Sequence, residues 1–176
     1  MKSFIITVFA LIIFPHSVSW ATPESDAFWS TCQEKLAITP ANSSYHVRQF
    51  GNNAALSDVL VGLIISGQKT GTYQLPWLLE GDEDLTPVVG GYSVVTDFDD
   101  KPRALLLTTS LRTLPYNQIT EEETQYEGPN ARVLAVWQAI HWPFWSHELE
   151  LKGKVAAKDM PVTVETFDVI CESASE

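Results

Sequence analysis

The chain has 176 residues, with 22 acidic against 11 basic side chains and a formal charge of −11. That length fits one domain at about 150 residues each, and 45% hydrophobic with 19% charged residues argues against a disordered chain. The acidic excess also argues against nucleic acid as a partner, since phosphates are gripped by Lys and Arg.

Residues Met1–Ala21 have the layout of a secretory signal peptide. Lys2 supplies the positive start, Phe4–Phe14 is apolar apart from Thr7, Pro15 ends the run, and Ser19-Trp20-Ala21 is a small-x-small site. The run is too short for a membrane span, which needs roughly 20 apolar residues. Cleavage after Ala21 leaves 155 residues with a charge of −12, because Lys2 is the only charged residue removed. The expectation is an exported protein, periplasmic or secreted, with no stable membrane span after cleavage and a single domain over 22–176.

Along the mature chain, Glu24–Ile38 places Phe28, Trp29, Cys32 and Leu36 at helical spacing. A polar stretch, Thr39–Ser44, follows. Asn53–Ser66 is the clearest helix, with Leu56, Val59, Leu60, Leu63 and Ile64 on one face and Gly67 suited to its C-terminal cap. Tyr92–Phe98 and Ala104–Thr109 read as strands joined by a turn at Asp99–Pro102. Asn130 is a cap for a further helix carrying Val133, Val136, Trp137, Ile140 and His141 on one face, which Pro143 breaks or kinks. Gly153 ends a further short helix, and Pro161–Ile170 reads as a closing strand. Helices and strands mix without a βαβ rhythm, so the fold class is α+β with an antiparallel or mixed sheet.

Cys32 and Cys171 are the two cysteines, near the two ends of the mature chain. Export favours a disulfide between them; two buried free thiols are the alternative. They match no zinc spacing. No P-loop, GxGxxG, HExxH, CxxC pair or GxSxG occurs, so no metal and no cofactor is expected. His46, His141 and His147 are scattered. The informative stretch is Ser66–Thr72, SGQKTGT, after the apolar helix. A desolvated Lys69 there is a candidate base and Thr72 a candidate nucleophile. The plainer alternative is a solvated lysine in a turn.

These features resemble the ASCH domain, a member of the PUA-like group. The likeness rests on Phe50-Gly51, the apolar helix, Gly67-x-Lys69-Thr70-x-Thr72, Trp77, Gly90-Gly91 with Ser93-Val94-Val95, and Thr108-Thr109 with Pro115-Tyr116. It continues through Glu127-Gly128, Trp137-x-x-x-His141-Trp142, Asp159–Val162 and Glu165-x-Phe167, covering roughly residues 28–170. It implies a small β-barrel with helices around its mouth and a cleft on one side. The family includes RNA-associated proteins, a reported ribonuclease type and an amidohydrolase that deacetylates N(4)-acetylcytidine. The resemblance implies Lys69, Thr72 and Glu127 as catalytic residues. Trp77, His141 and Trp142 are the expected binding residues.

The sequence also departs from the family pattern. Pro129-Asn130-Ala131 follows Glu127-Gly128 where an acid, Gly and Asp are usual, and Val133 stands where a Ser falls. Ser110 replaces the Glu that commonly follows Thr-Thr, and Gly91-Tyr92 stands for Gly-Asp. These changes remove polar groups and argue against a nuclease. The expectations are an amidohydrolase of a small acylated nucleoside, a non-catalytic RNA- or nucleotide-binding module, or a degenerate structural or partner-binding domain. The acidic charge favours a small-molecule substrate among them.

Overall fold

The computed structural model describes residues 21–39, 44–81 and 85–173. The expected signal peptide lies outside them apart from Ala21. No described helix is long and apolar enough to cross a membrane.

Helix α1 (Pro23–Leu36) starts at Thr22, whose side chain accepts from the Ser25 amide in a reciprocal capping box, with Pro23 in the first turn. It buries Trp29 and Cys32 against Val94, Leu105 and Cys171. Cys32 and Cys171 are joined in a disulfide, which ties α1 to the last strand.

Helix α2 (Ala54–Ile65) starts where the sequence places it, with Asn53 Oδ1 accepting from Leu56 N at 3.0 Å. Its buried line is Ser57, Val61 and Ile64, while Leu56 and Val59 of the expected face are exposed. The packing of the preceding turn accounts for the rotation. Gly51 (φ +90°) presses its backbone on that of Ser57, so a Cβ there would come within 2.8 Å of Ser57 N. After α2, Gly67 adopts φ +69° and the amides of Gln68 and Lys69 both return to Leu63 O.

Five strands form one mixed sheet: β1 (Tyr45–Gln49), β2 (Gly71–Gln74), β3 (Tyr92–Thr96), β4 (Pro102–Pro115) and β5 (Pro161–Glu172). Their order is β1-β3-β4-β5-β2, with β1–β3 parallel and the other pairs antiparallel. The α+β expectation with a mixed sheet holds. The sheet is curled but not closed: β1 and β2 remain its two edges among the described residues. Curling is visible in Arg48 of β1, which reaches Glu165 of β5. In a flat sheet those strands would stand about 14 Å apart.

Helix α3 (Glu121–Thr124) is one turn, closed by a capping box between Thr120 and Glu123. Helix α4 (Leu134–Leu151) differs from its sequence reading in three ways. Asn130 lies in a separate 3₁₀ turn, Pro129–Ala131, and α4 begins after Val133 with no side-chain cap. The helix runs through Pro143, and Gly153 follows this same helix rather than a second one. Proline removes the bond to the carbonyl four residues earlier; here that carbonyl belongs to Ala139 on the exposed side, where water can satisfy it. Finally, the core-facing line is Trp137, His141, Trp145 and Leu149, whereas Val133, Val136 and Ile140 are exposed. The large aromatic rings set the face. Trp137 and Trp145 pack with Tyr73, Tyr116, Met160 and Val162 in the main core.

Candidate functional site

Lys69 and Glu127 are 58 residues apart and are brought together by backbone. The amides of Thr70 and Gly71 both donate to Tyr126 O, at 3.0 and 3.1 Å. Arg132 adds a clamp, its Nε donating to Glu127 O at 2.9 Å and its Nη2 to Gln68 O at 2.7 Å. Thr124 Oγ1 in turn donates to Arg132 O. The glycine of the Lys-Thr-Gly-Thr motif has a steric reason. A Cβ on Gly71 would lie 2.5 Å from Glu165 O and 2.7 Å from Tyr126 Cβ. Only glycine lets β2 sit so close to both neighbours.

The result is a buried polar cluster. Lys69 is 3% exposed and Glu127 6% exposed, unlike the neighbouring surface acids Glu121 and Glu122. Lys69 Nζ donates to Glu127 Oε2 at 2.5 Å, and His141 Nε2 lies 3.5 Å from Glu127 Oε1. Burial pushes the Lys69 amine below its ordinary range, with the Glu127 carboxylate pulling the other way. Burial alone would raise the Glu127 carboxyl, but His141 and the charge of Lys69 outweigh it and hold Glu127 below its ordinary value. Tyr73 walls the cluster, its ring 5.5 Å from the His141 ring and its hydroxyl donating to Glu123 O at 2.5 Å. Burial, then the charge of Glu127, raises the Tyr73 phenol far above its usual range, so it stays a neutral donor. A groove of about 500 Å³ opens beside Lys69 and Thr70, lined also by Ile64, Gly67, Phe167 and Asp168.

The other sequence-derived residues lie elsewhere. Thr72 is partly exposed and pairs with Glu165 in the β2–β5 register, while Tyr73 pairs with Val164. Neighbouring strand residues point to opposite faces, so Thr72 faces away from Tyr73 and His141. Among the described residues its hydroxyl makes no hydrogen bond to Lys69 or Glu127. Trp77 packs against the main aromatic core. So does Trp142, whose ring lies 4.9 Å from that of Tyr116 and 4.1 Å below Lys158 Nζ. Among the described residues no three His, Cys, Asp or Glu side chains converge to hold a metal ion.

Two contributors, Arg132 and Arg48, escape a reading by motif. Arg132 sits five residues past Glu127 and acts only on backbone oxygens, so its type carries no signal of its partners. Arg48 and Glu165 form a two-pronged ion pair on the Thr72 face, with Thr108 Oγ1 donating to Glu165 at 2.7 Å. The Glu165-x-Phe167 pattern marked that glutamate, but no spacing links it to Arg48. The departure at Tyr92 is also accounted for: its ring packs 5.1 Å from Trp29, so α1 covers that position.

The ASCH domain family model matches residues 46–171. Among solved structures, an ASCH domain from Lactobacillus crispatus JV V101 superposes with a TM-score of 0.75 at 28% identity, covering 84% of this chain and 94% of that one. A protein of Enterococcus faecalis V583 superposes with a TM-score of 0.72 at 26% identity, covering 82% of this chain and 86% of that one. No curated protein matches the chain.

Proposed function

We propose that this chain, which belongs to the ASCH domain family, is an exported, single-domain amidohydrolase acting on a small acylated nucleoside such as N(4)-acetylcytidine. The observation that carries this reading is the buried Lys69–Glu127 pair. A buried amine with a lowered pKa serves as a base near neutral pH, which a solvated lysine does not. In the reaction, neutral Lys69 takes the proton of Thr72 as the Thr72 oxygen bonds to the amide carbon. The C–N bond breaks and the amine leaves with the proton from Lys69. Water then cleaves the Thr72 ester, releasing the acid and restoring the hydroxyl. Glu127 orients Lys69 and stabilises its charged form. The step requires Lys69 Nζ to exchange Glu127 for Thr72, three residues along the chain. A small uncharged substrate suits an acidic protein in which Lys and Arg, the residues that grip polymeric phosphate, number 11 against 22 Asp and Glu.

The test is release of cytidine from N(4)-acetylcytidine by the mature chain. Lys69→Ala and Glu127→Ala are expected to lower turnover at least 100-fold while the far-UV spectrum is unchanged, and Thr72→Ala to abolish acyl-enzyme formation. Full turnover in Lys69→Ala would sink the reading. A second reading, a binding module without catalysis, is favoured by the orientation of Thr72 away from the His141 side of the sheet. Calorimetric binding of the nucleoside with no turnover would establish it instead.

A further inference from the structure

Helix α4 has two apolar faces, and the core covers one of them. Trp137, Trp145 and Leu149 fill the inner face. The outer face stands in water. From Val133 to His147 the chain has no Asp, Glu, Lys or Arg, although a helix with one side in solvent ordinarily carries its charged residues there. Val133, Val136, Ile140 and Phe144 are between 40% and 56% exposed. The exposed residues between them, Ala135, Ala139 and Pro143, are apolar too. Leu151, 57% exposed, continues the line one turn past His147. Together these side chains leave roughly 400 Å² of apolar surface in water, a patch of the size that is often functional on a monomer.

We infer that this face is the contact between two copies of the chain, packed α4 against α4, antiparallel, about a two-fold axis at Ile140. In a contact of that symmetry each residue meets the position equally far on the other side of the axis. Ile140 meets Ile140, and Val136 meets Phe144, so a smaller side chain faces a larger one on both sides. The short side chains of Ala135 and Ala139 let the helices approach closely. Charge favours a second copy as the occupant. The acids nearest the face, Glu148 and Glu150, fall opposite Arg132 and Asn130, so no acid meets an acid. An anionic lipid surface would instead meet a chain of charge −11. The area agrees as well. A standard interface buries about 800 Å² per partner, about 65% of it apolar in homodimers, and the α4 patch supplies most of that apolar part. The contact also reaches the site. Val133 follows Arg132, whose guanidinium holds the backbone of Gln68 and Glu127, so a partner on α4 braces the loop behind the Lys69–Glu127 pair.

Sedimentation equilibrium of the mature chain at about 50 µM tests this, since interfaces of standard size hold at micromolar concentration or below. A dimer is expected. Ile140→Glu should weaken it at least 100-fold, because the symmetry sets two carboxylates against each other on the axis. Its far-UV spectrum and urea midpoint should stay those of wild type, as Ile140 is half exposed. The milder double variant, Val136→Ser with Phe144→Ser, should weaken the dimer at least 10-fold. Ile140→Cys should cross-link to its own copy through a short bismaleimide. Val133→Cys, whose counterpart is His147, should not. The native cysteines are joined to each other and do not compete. A wild-type monomer overturns the inference, whether the face is then taken by phosphatidylcholine vesicles or, in the uncleaved chain, by Phe4–Phe14. A dimer that survives both Ile140→Glu and the double variant uses another surface and overturns it too. None of these measurements reads turnover, so the contact stands or falls apart from the hydrolase reading.

Discussion

Both terminal guanidinium nitrogens of Arg48 meet both carboxylate oxygens of Glu165, at 3.0 and 2.7 Å, across the inside of the curled sheet. The glutamate is fully buried and the arginine side chain is 17% exposed. An edge strand is thereby pinned to the strand that carries the β2 contact, and the same carboxylate takes a third bond from Thr108.

Removing one member of this pair should therefore cost more than a surface ion pair does. Arg48→Ala leaves a buried carboxylate with only Thr108, and about 3–5 kcal/mol of stability should be lost. Urea unfolding followed by tryptophan fluorescence checks this. A midpoint equal to wild type would mean that the pair contributes nothing to closure of the sheet.

Gly71→Ala tests the steric role of the Lys-Thr-Gly-Thr turn. The added methyl meets backbone oxygen on one side and Tyr126 on the other, so β2 must move away from β5. The expected loss is about 1–3 kcal/mol, with a larger proportional loss of turnover, because the same shift breaks the approach of Thr70 and Gly71 to Tyr126 O. Gly62→Ala on α2, where no atom lies within 4 Å of the new methyl, is the matched control and should be neutral or slightly stabilising.

The acid side of the stability curve should carry the signature of Glu127. Its folded pKa is depressed, so its ionised form stabilises the fold above the unfolded value of 4.5. That contribution disappears as pH falls through the lower folded value. The stability gap between wild type and Glu127→Gln should be full at about pH 6 and shrink steadily below about pH 4.5. Lys69 works on the alkaline side. Its folded pKa is also depressed, so the fold gains stability as pH rises from that value toward 10.5. Lys69→Met should flatten that rise, and thermal melts across pH read both effects.

The Cys32–Cys171 disulfide closes a loop of 139 residues. In the chain-entropy model such a loop is worth roughly 5 kcal/mol. Cys32→Ser with Cys171→Ser should lower the urea midpoint accordingly, and dithiothreitol should act on the wild type but not on the double variant.

Much of this architecture was legible in the residues, for identifiable reasons. The α2 boundaries follow from Asn53 and Gly67, two positions whose backbone roles depend on local chemistry alone. The exposed faces of α2 and α4 were misplaced because apolar spacing does not reveal which of two adjacent stripes meets the sheet. On α4 the largest rings decided it, leaving Val136 and Ile140 outside. At the site, Lys69 and Glu127 were marked by their motifs and His141 by the Trp137-x-x-x-His141 spacing. The orientation of Thr72 was not legible, since it depends on which residue of β2 stands opposite Glu165. A shift of one residue would have turned it to the other face.

The bridge between α1 and β5 also changes what a cut in the chain means. With Cys32 and Cys171 joined, the covalent path from α1 through every described strand and back is a ring. One cleavage in any loop between those cysteines opens the ring but releases no fragment. Both Lys69 and Glu127 lie within it, so a protease would need two cuts to separate the two halves of the site.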